Sequence, residues 1–324
     1  MFCNSSDMPI LYSVMILLML MGAHGAKAGE VALTYDDLPV YGHFGSIEDA
    51  TALTRKLLAG LTQHRYPAIG LVNEIQLDGT DKPARAALLA RWLDAGMDLG
   101  NHGYSHLSLT DTPVDRYIAD AACGEIVTKA LLAARGRTEH WYRYPYLETG
   151  KTLAVRHTFE TWLTNHGYRV APVTIENSDW EFVDVYDDTL LSGDRPGAAK
   201  VRQAYLAFTA EIVPWYRNAS IALFGREIRF IFLLHASRLN ADSIDGLASI
   251  LDREKLRAVT LERAMADPAY RLQDDSVGPD GDEWLTRWAR MLHIDLPYQS
   301  LPDVPPDIAA AEARIAARPL AAQP

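Results

Sequence analysis

Short apolar runs alternate with amphipathic stretches along most of this chain, and that rhythm restricts the fold more than any other feature. Residues 31–35, 68–72, 228–234 and 256–261 read as strands, and 96–101 as a strand running into a loop. Residues 47–63, 84–95, 113–134 and 153–166 read as helices, with Pro113 suited to a first turn and Gly167 to a stop. Residues 194–225, with Tyr205, Phe208, Ile212 and Trp215, read as a helix broken near Pro214. Strands and helices in this order specify a parallel β/α architecture. A chain of 324 residues, 48% of them hydrophobic, encloses a substantial core and fits one large domain with additions.

The first strand ends in two adjacent acids, Asp36 and Asp37, and His102-Gly103-Tyr104-Ser105-His106 lies downstream. Two imidazoles and one carboxylate leave a divalent ion at least one position for water, as catalytic rather than structural sites do. One acid would bind the ion while its neighbour takes a proton from water on it. Consecutive side chains of a strand point to opposite faces, so both acids reach one centre only where the strand gives way, and Leu38-Pro39 supplies that break. Gly103 allows the backbone angles that bring both histidines round. The same ligand set is shared with two-histidine, one-carboxylate iron oxygenases.

Thr34-Tyr35-Asp36-Asp37, His102 to His106, Arg143-Tyr144-Pro145-Tyr146, Asp179-Trp180 and Leu233-Leu234-His235 follow one another along the first three quarters of the chain. In that order they resemble the motif series of the NodB-type polysaccharide deacetylases, also called carbohydrate esterase family four. The resemblance implies a deformed (β/α) barrel and metal-dependent removal of acetyl groups from N- or O-acetylated glycans. It implies Asp36 as general base, with Asp37, His102 and His106 holding the metal, and Arg143 orienting Asp36. It gives His235 the part of general acid, oriented by Asp179, and the backbone amide of Tyr146 a place at the oxyanion. Trp180, Leu233 and Pro145 would shape the substrate groove. Taken singly, Arg143 among tyrosines reads as a stacked surface arginine and His235 as a core histidine. Their co-occurrence at the apparent carboxyl ends of strands is where barrel enzymes keep their chemistry.

Three positions depart from the family pattern: Leu38 follows the acid pair, Gly103 replaces a hydroxyl residue, and Ala236-Ser237 follows His235. None removes a ligand, base or acid, and Ser105 is a candidate to brace the histidine loop in place of the missing hydroxyl.

The remaining segments bear on location and partners. Residues 10–21 are an apolar run followed by Ala26-Lys27-Ala28, a small-x-small signal, so residues 1–28 read as an export signal cleaved after Ala28, with a retained membrane anchor as the alternative. Cys123 is then the one cysteine of the mature chain, which excludes an internal disulfide, and it reads as a buried thiol on a helix. A net charge of −11 gives no electrostatic reason for nucleic-acid or anionic-membrane binding. The expected organisation is a deacetylase domain over 29–265, a C-terminal helical extension over 266–299 and a Pro/Ala-rich tail over 300–324. Within the extension, Trp284, Leu285, Trp288 and Met291 share a helix face expected to pack on the barrel, and the acidic stretch 274–282 reads as a solvated loop.

The sequence is therefore read as an exported, periplasmic or extracellular hydrolase acting on an acetylated glycan. Its expected cofactor is a divalent metal ion, Zn2+ first, with Co2+, Ni2+ or Fe2+ as alternatives. A catalytically silent glycan-binding protein of the same fold, and a hydrolase of a non-sugar amide, are the competing readings.

Overall fold

The computed structural model describes residues 28–43 and 46–318, and the apolar N-terminal run with most of its cleavage signal lies outside them. No helix among the described residues is long and apolar enough to cross a membrane. The first half of the fold comprises β1 (Gly29–Leu38), α1 (Ile47–Gln63), β2 (Ala68–Val72), α2 (Lys82–Asp94), β3 (Asp98–Asn101), α3 (Val114–Cys123), α4 (Ile126–Ala133), β4 (Trp141–Tyr142), α5 (Leu153–Asn165) and β5 (Arg169–Val170). It continues through α6 (Asp179–Leu191), α7 (Arg195–Phe224), β6 (Phe230–His235), α8 (Arg238–Arg253), β7 (Leu256–Val259), α9 (Leu261–Met265), α10 (Trp284–Leu292) and α11 (Pro306–Ala316).

All seven strands are parallel, in the order β5-β4-β3-β2-β1-β6, with β7 paired to the start of β1. The sheet is a curled half-barrel wrapped by helices, the deformed (β/α) barrel that the motifs implied. Strand β1 is its centre, bonded along its length to β2, β6 and β7. Its residues alternate between two faces. Val31, Leu33 and Tyr35 join the large core that includes the helices, while Ala32 joins a smaller cluster with Ile69, Leu71, Trp141, Ala171, Ile231 and Val259. Thr34 and Asp36 continue the Ala32 side, so a carboxylate is carried to the carboxyl end of the inner face.

The helix expected over 113–134 is two helices. Gly124 caps α3, and a methyl group there would lie 2.6 Å from the Gly103 carbonyl carbon, so backbone meets backbone at that point. Cys123, beside this break, is exposed rather than buried. The helix expected to break near Pro214 instead runs unbroken through it as α7. Proline removes one helical hydrogen bond, but Val213, Trp215 and Tyr216 around it are buried and hold the helix in place.

The C-terminal extension packs as expected, with Trp284, Leu285 and Trp288 buried and the Trp284 amide donating to Val173 O at 2.7 Å. Its acidic loop is less solvated than expected. The Asp274 carboxylate lies between Arg287 (2.8 Å) and Arg156 (3.3 Å), with only 5% of its side chain exposed.

Candidate active site

Both acids of β1 reach one centre because the strand bulges between them. Pairing with β2 slips between Tyr35 and Leu38, and Asp37 takes a left-handed φ of 61°. The expected break therefore lies inside the strand, before Pro39. Asp36 keeps strand geometry and is the register partner of His235 on β6, which sets these two residues side by side at the mouth of the barrel.

His102 follows β3, and its Nδ1 is engaged by the Arg143 carbonyl at 2.9 Å, which leaves Nε2 to face Asp37. His106 returns to the same carboxylate through its own left-handed backbone, φ 56°. The loop between them is braced by Asp120 of α3, which accepts from the Tyr104 and Ser105 amides and from the Ser105 hydroxyl. The missing hydroxyl at Gly103 is thus replaced by a carboxylate from outside the motif, with Ser105 as its partner.

Both imidazole Nε2 atoms lie 3.6 Å from Asp37 Oδ1. The three ligand atoms fall within 4.8 Å of one another. Donors at zinc-ligand distances of about 2.1 Å in tetrahedral array stand about 3.4 Å apart, so the spacing suits such an ion. Two further features fit a cation here. Asp37 Oδ1 is buried with no hydrogen-bond partner among the described residues, and burial holds the His102 imidazole well below its ordinary pKa, hence neutral and able to ligate.

Asp36 and His235 flank this trio, Asp36 Oδ2 at 3.8 Å from His102 Nε2 and His235 Nε2 at 3.8 Å from Asp37 Oδ2. Arg143 is wholly buried, not a surface residue. It donates to Asp36 Oδ2 (3.1 Å), Thr34 Oγ1 (3.0 Å) and Ala171 O (2.6 Å). Burial raises the Asp36 pKa, and the Arg143 and His235 charges oppose that rise. For His235, burial alone would disfavour the cation. The Asp179 carboxylate, on Nδ1 at 2.6 Å, outweighs it and pushes the imidazole up to about 9.

These groups line a cavity of about 800 Å³. Trp180, 40% exposed, and Leu233 line it, as does Tyr146, whose ring packs edge-on against His106 at 4.3 Å. Pro145 is buried and does not line it. Of the eight non-glycine residues with positive φ among the described residues, five line the cavity: Asp37, His106, Tyr146, Leu147 and Ser178. Backbone strain is concentrated where side chains and amides converge. The motifs did not point to Tyr41, whose ring lies 4.4 Å from that of His235, nor to Glu176, Trp215 and Tyr216 on the cavity wall. Tyr144 also lines it, as do Gly281, Asp282, Glu283, Thr286, Tyr298 and Leu301 of the C-terminal segment.

Residues 24–170 match the family described as polysaccharide deacetylase. That span is a little under half of the chain, and the match is to the family whose motif series the sequence resembles. The fold is similar to that of the solved chitin deacetylase of the fungal pathogen Colletotrichum lindemuthianum, at 20% identity and TM-score 0.50, over 78% of this chain and 93% of that one. It is also similar to a family four carbohydrate esterase pseudoenzyme from Bacillus anthracis, at 13% identity and TM-score 0.50, over 74% of this chain and 66% of that one. A mutant of that pseudoenzyme with restored enzymatic activity matches at 14% identity and TM-score 0.50, over 74% of this chain and 68% of that one. At these identities the likeness is one of fold. No curated protein sequence matches the chain.

Proposed function

We propose that this chain is an active, metal-dependent hydrolase that releases acetate from an N- or O-acetylated glycan. A single observation carries the reading: a carboxylate with a buried arginine, and a histidine with a buried carboxylate, flank one Asp-His-His trio from which each is 3.8 Å away. A silent binding protein has no use for that costly arrangement of buried charge.

Asp37, His102 and His106 are the residues that would hold a divalent ion, with zinc the first choice for two imidazoles and a carboxylate. Such an ion would polarise the acyl oxygen and make water more acidic. Asp36 takes the proton from the attacking water, and Arg143 fixes the direction of its carboxylate. The Tyr146 amide faces the oxygen on which negative charge develops. His235 then delivers its proton to the departing nitrogen or oxygen, with Asp179 keeping the ring oriented and protonated. Trp180 and Leu233 flank the acetyl-bearing sugar.

Chitin-like oligomers are the first substrates to try, with peptidoglycan and acetylated xylan beside them. Export fits the N-terminal apolar run, and cleavage after the exposed Ala28 leaves β1 whole. The test joins metal analysis of the purified protein to acetate release from the three glycans. Saturable glycan binding with one metal per chain and no acetate from any of them would overturn the reading in favour of a binding protein.

A further inference from the structure

The turn that carries the Tyr146 amide has two backbone hydrogen bonds of its own, Leu147 N–H to Tyr144 O and Glu148 N–H to Pro145 O, both at 3.1 Å, yet its backbone is strained. Tyr146 and Leu147 both sit at φ 56°, a left-handed pair with no glycine, and two such residues in succession persist only where the surroundings fix them. Further fixing groups come from the far end of the chain. Gly281 lies so close that an added methyl group would stand 1.7 Å from the Tyr146 carbonyl oxygen and 3.0 Å from the Leu147 carbonyl carbon. Arg287, 3% exposed, donates to Thr149 Oγ1 at 2.7 Å and reaches Leu147 O at 3.5 Å. Its remaining N–H groups hold Asp274 Oδ2 (2.8 Å) and Ser276 O (2.9 Å) of the loop leading to Gly281. One guanidinium thus joins both sides of the contact, and Trp284 covers its face at 4.6 Å.

We propose that Arg287 and Gly281 are positioning residues for the reaction, the C-terminal segment holding the Tyr146–Leu147 turn in the one shape that presents the Tyr146 amide to the reacting oxygen. This rests on the acetyl-hydrolase reading above. Arg287 touches neither the Asp-His-His trio nor His235, so its contribution is separable from metal binding and proton transfer.

The experiment compares wild type with Arg287→Gln, Arg287→Lys, Gly281→Ala and Thr149→Val. Arg156→Gln serves as control, because Arg156 holds Ser276 O, Asp274 and Glu160 but none of residues 146–149. Each is measured for kcat and KM on the best acetylated oligomer, for bound metal, for Tm, and for inhibition by an oligomer whose acetamide is replaced by a tetrahedral methylphosphonate. Arg287→Gln and Gly281→Ala should lower kcat and weaken the phosphonate together by about 10- to 100-fold. Their KM should stay within about twofold and their metal content should not change. Arg287→Lys should recover only part of the loss and Thr149→Val should lose about threefold, since each keeps some of the contacts. Arg156→Gln should lower Tm and move kcat far less than Arg287→Gln, since it shares the hold on the Gly281 loop but not on the turn. If Arg287→Gln fails to fold, Gly281→Ala and Thr149→Val decide the matter. Unchanged kcat and phosphonate affinity in those variants, or an equal kcat loss in Arg156→Gln, would overturn the proposal while leaving the hydrolase reading intact. A wild type that releases no acetate from any glycan overturns that reading, and this inference with it.

Discussion

Asp179 holds His235 by two bonds at once, one carboxylate oxygen on the imidazole Nδ1 at 2.6 Å and the other accepting from the His235 backbone amide at 2.7 Å. Asn240 closes the arrangement, donating to Asp179 Oδ2 at 2.5 Å and to the His235 carbonyl at 2.8 Å. The ring is therefore fixed in place by a single buried acid, which is also the largest influence favouring its charged form.

Replacing that acid should release the proton. In the metal-free protein, the His235 ring should titrate near 9, and Asp179→Asn should lower that value, because burial is then opposed only by the charges of Asp36 and Asp37. The cation is favoured below the folded pKa and lost as pH rises through it, so the variant loses its proton donor at a lower pH than wild type. NMR titration of the ring resonances checks the shift, and acetate release should fall about 10²- to 10⁴-fold. An unshifted ring would remove Asp179 from the mechanism.

Metal retention and turnover should separate by residue. Asp36→Asn should keep the ion and lose about 10²- to 10⁴-fold in kcat, since it keeps the shape of the side chain but not its basicity. Asp37→Ala and His102→Ala should lose the ion itself. Metal analysis after dialysis distinguishes the two classes, and chelation followed by zinc addition should abolish and then restore activity.

Glu176 should make stability fall as pH rises. Burial pushes its carboxyl up to about 7, so the folded protein holds a proton that the unfolded chain, titrating near 4.5, has already released. Between those values each rise in pH favours unfolding, and above 7 the cost levels off at about 3 kcal/mol. Glu176→Gln should thus be more stable than wild type at pH 8 and no more stable at pH 4. Thermal melts at both pH values check the sign.

Gly124→Ala should reach the metal site without touching it. Its new methyl group meets the Gly103–Tyr104 backbone at 2.6–2.8 Å, so the histidine loop must move. A stability loss of about 1–3 kcal/mol and weaker metal affinity are expected, measured by denaturant titration and by competition with a chelating dye.

The long elements were legible in the sequence because each has a periodic pattern: α1 and β2 fall on the expected residues 47–63 and 68–72. Strands β4 and β5 were not, since two residues each are too few to show any alternation. The split of α3 from α4 was hidden for another reason. Gly124 matters through contact with Gly103, and a glycine among helix formers does not announce a neighbour twenty residues away. At the site, every motif residue proposed for chemistry was nameable from its type and order, and the structure brings those residues together. The support behind them was not nameable. Asp120, Asn240, Gly281 and Arg287 act across distances in sequence that no local pattern spans.

Placing Asp36 and Asp37 on the strand bonded to three neighbours has a dynamic consequence. Backbone amides of β1 can exchange with solvent only by openings that disrupt β2, β6 or β7 as well, so they should be among the slowest in the molecule, approaching the rate set by global unfolding. Loops around the cavity can then fray or rearrange while the two acids stay put.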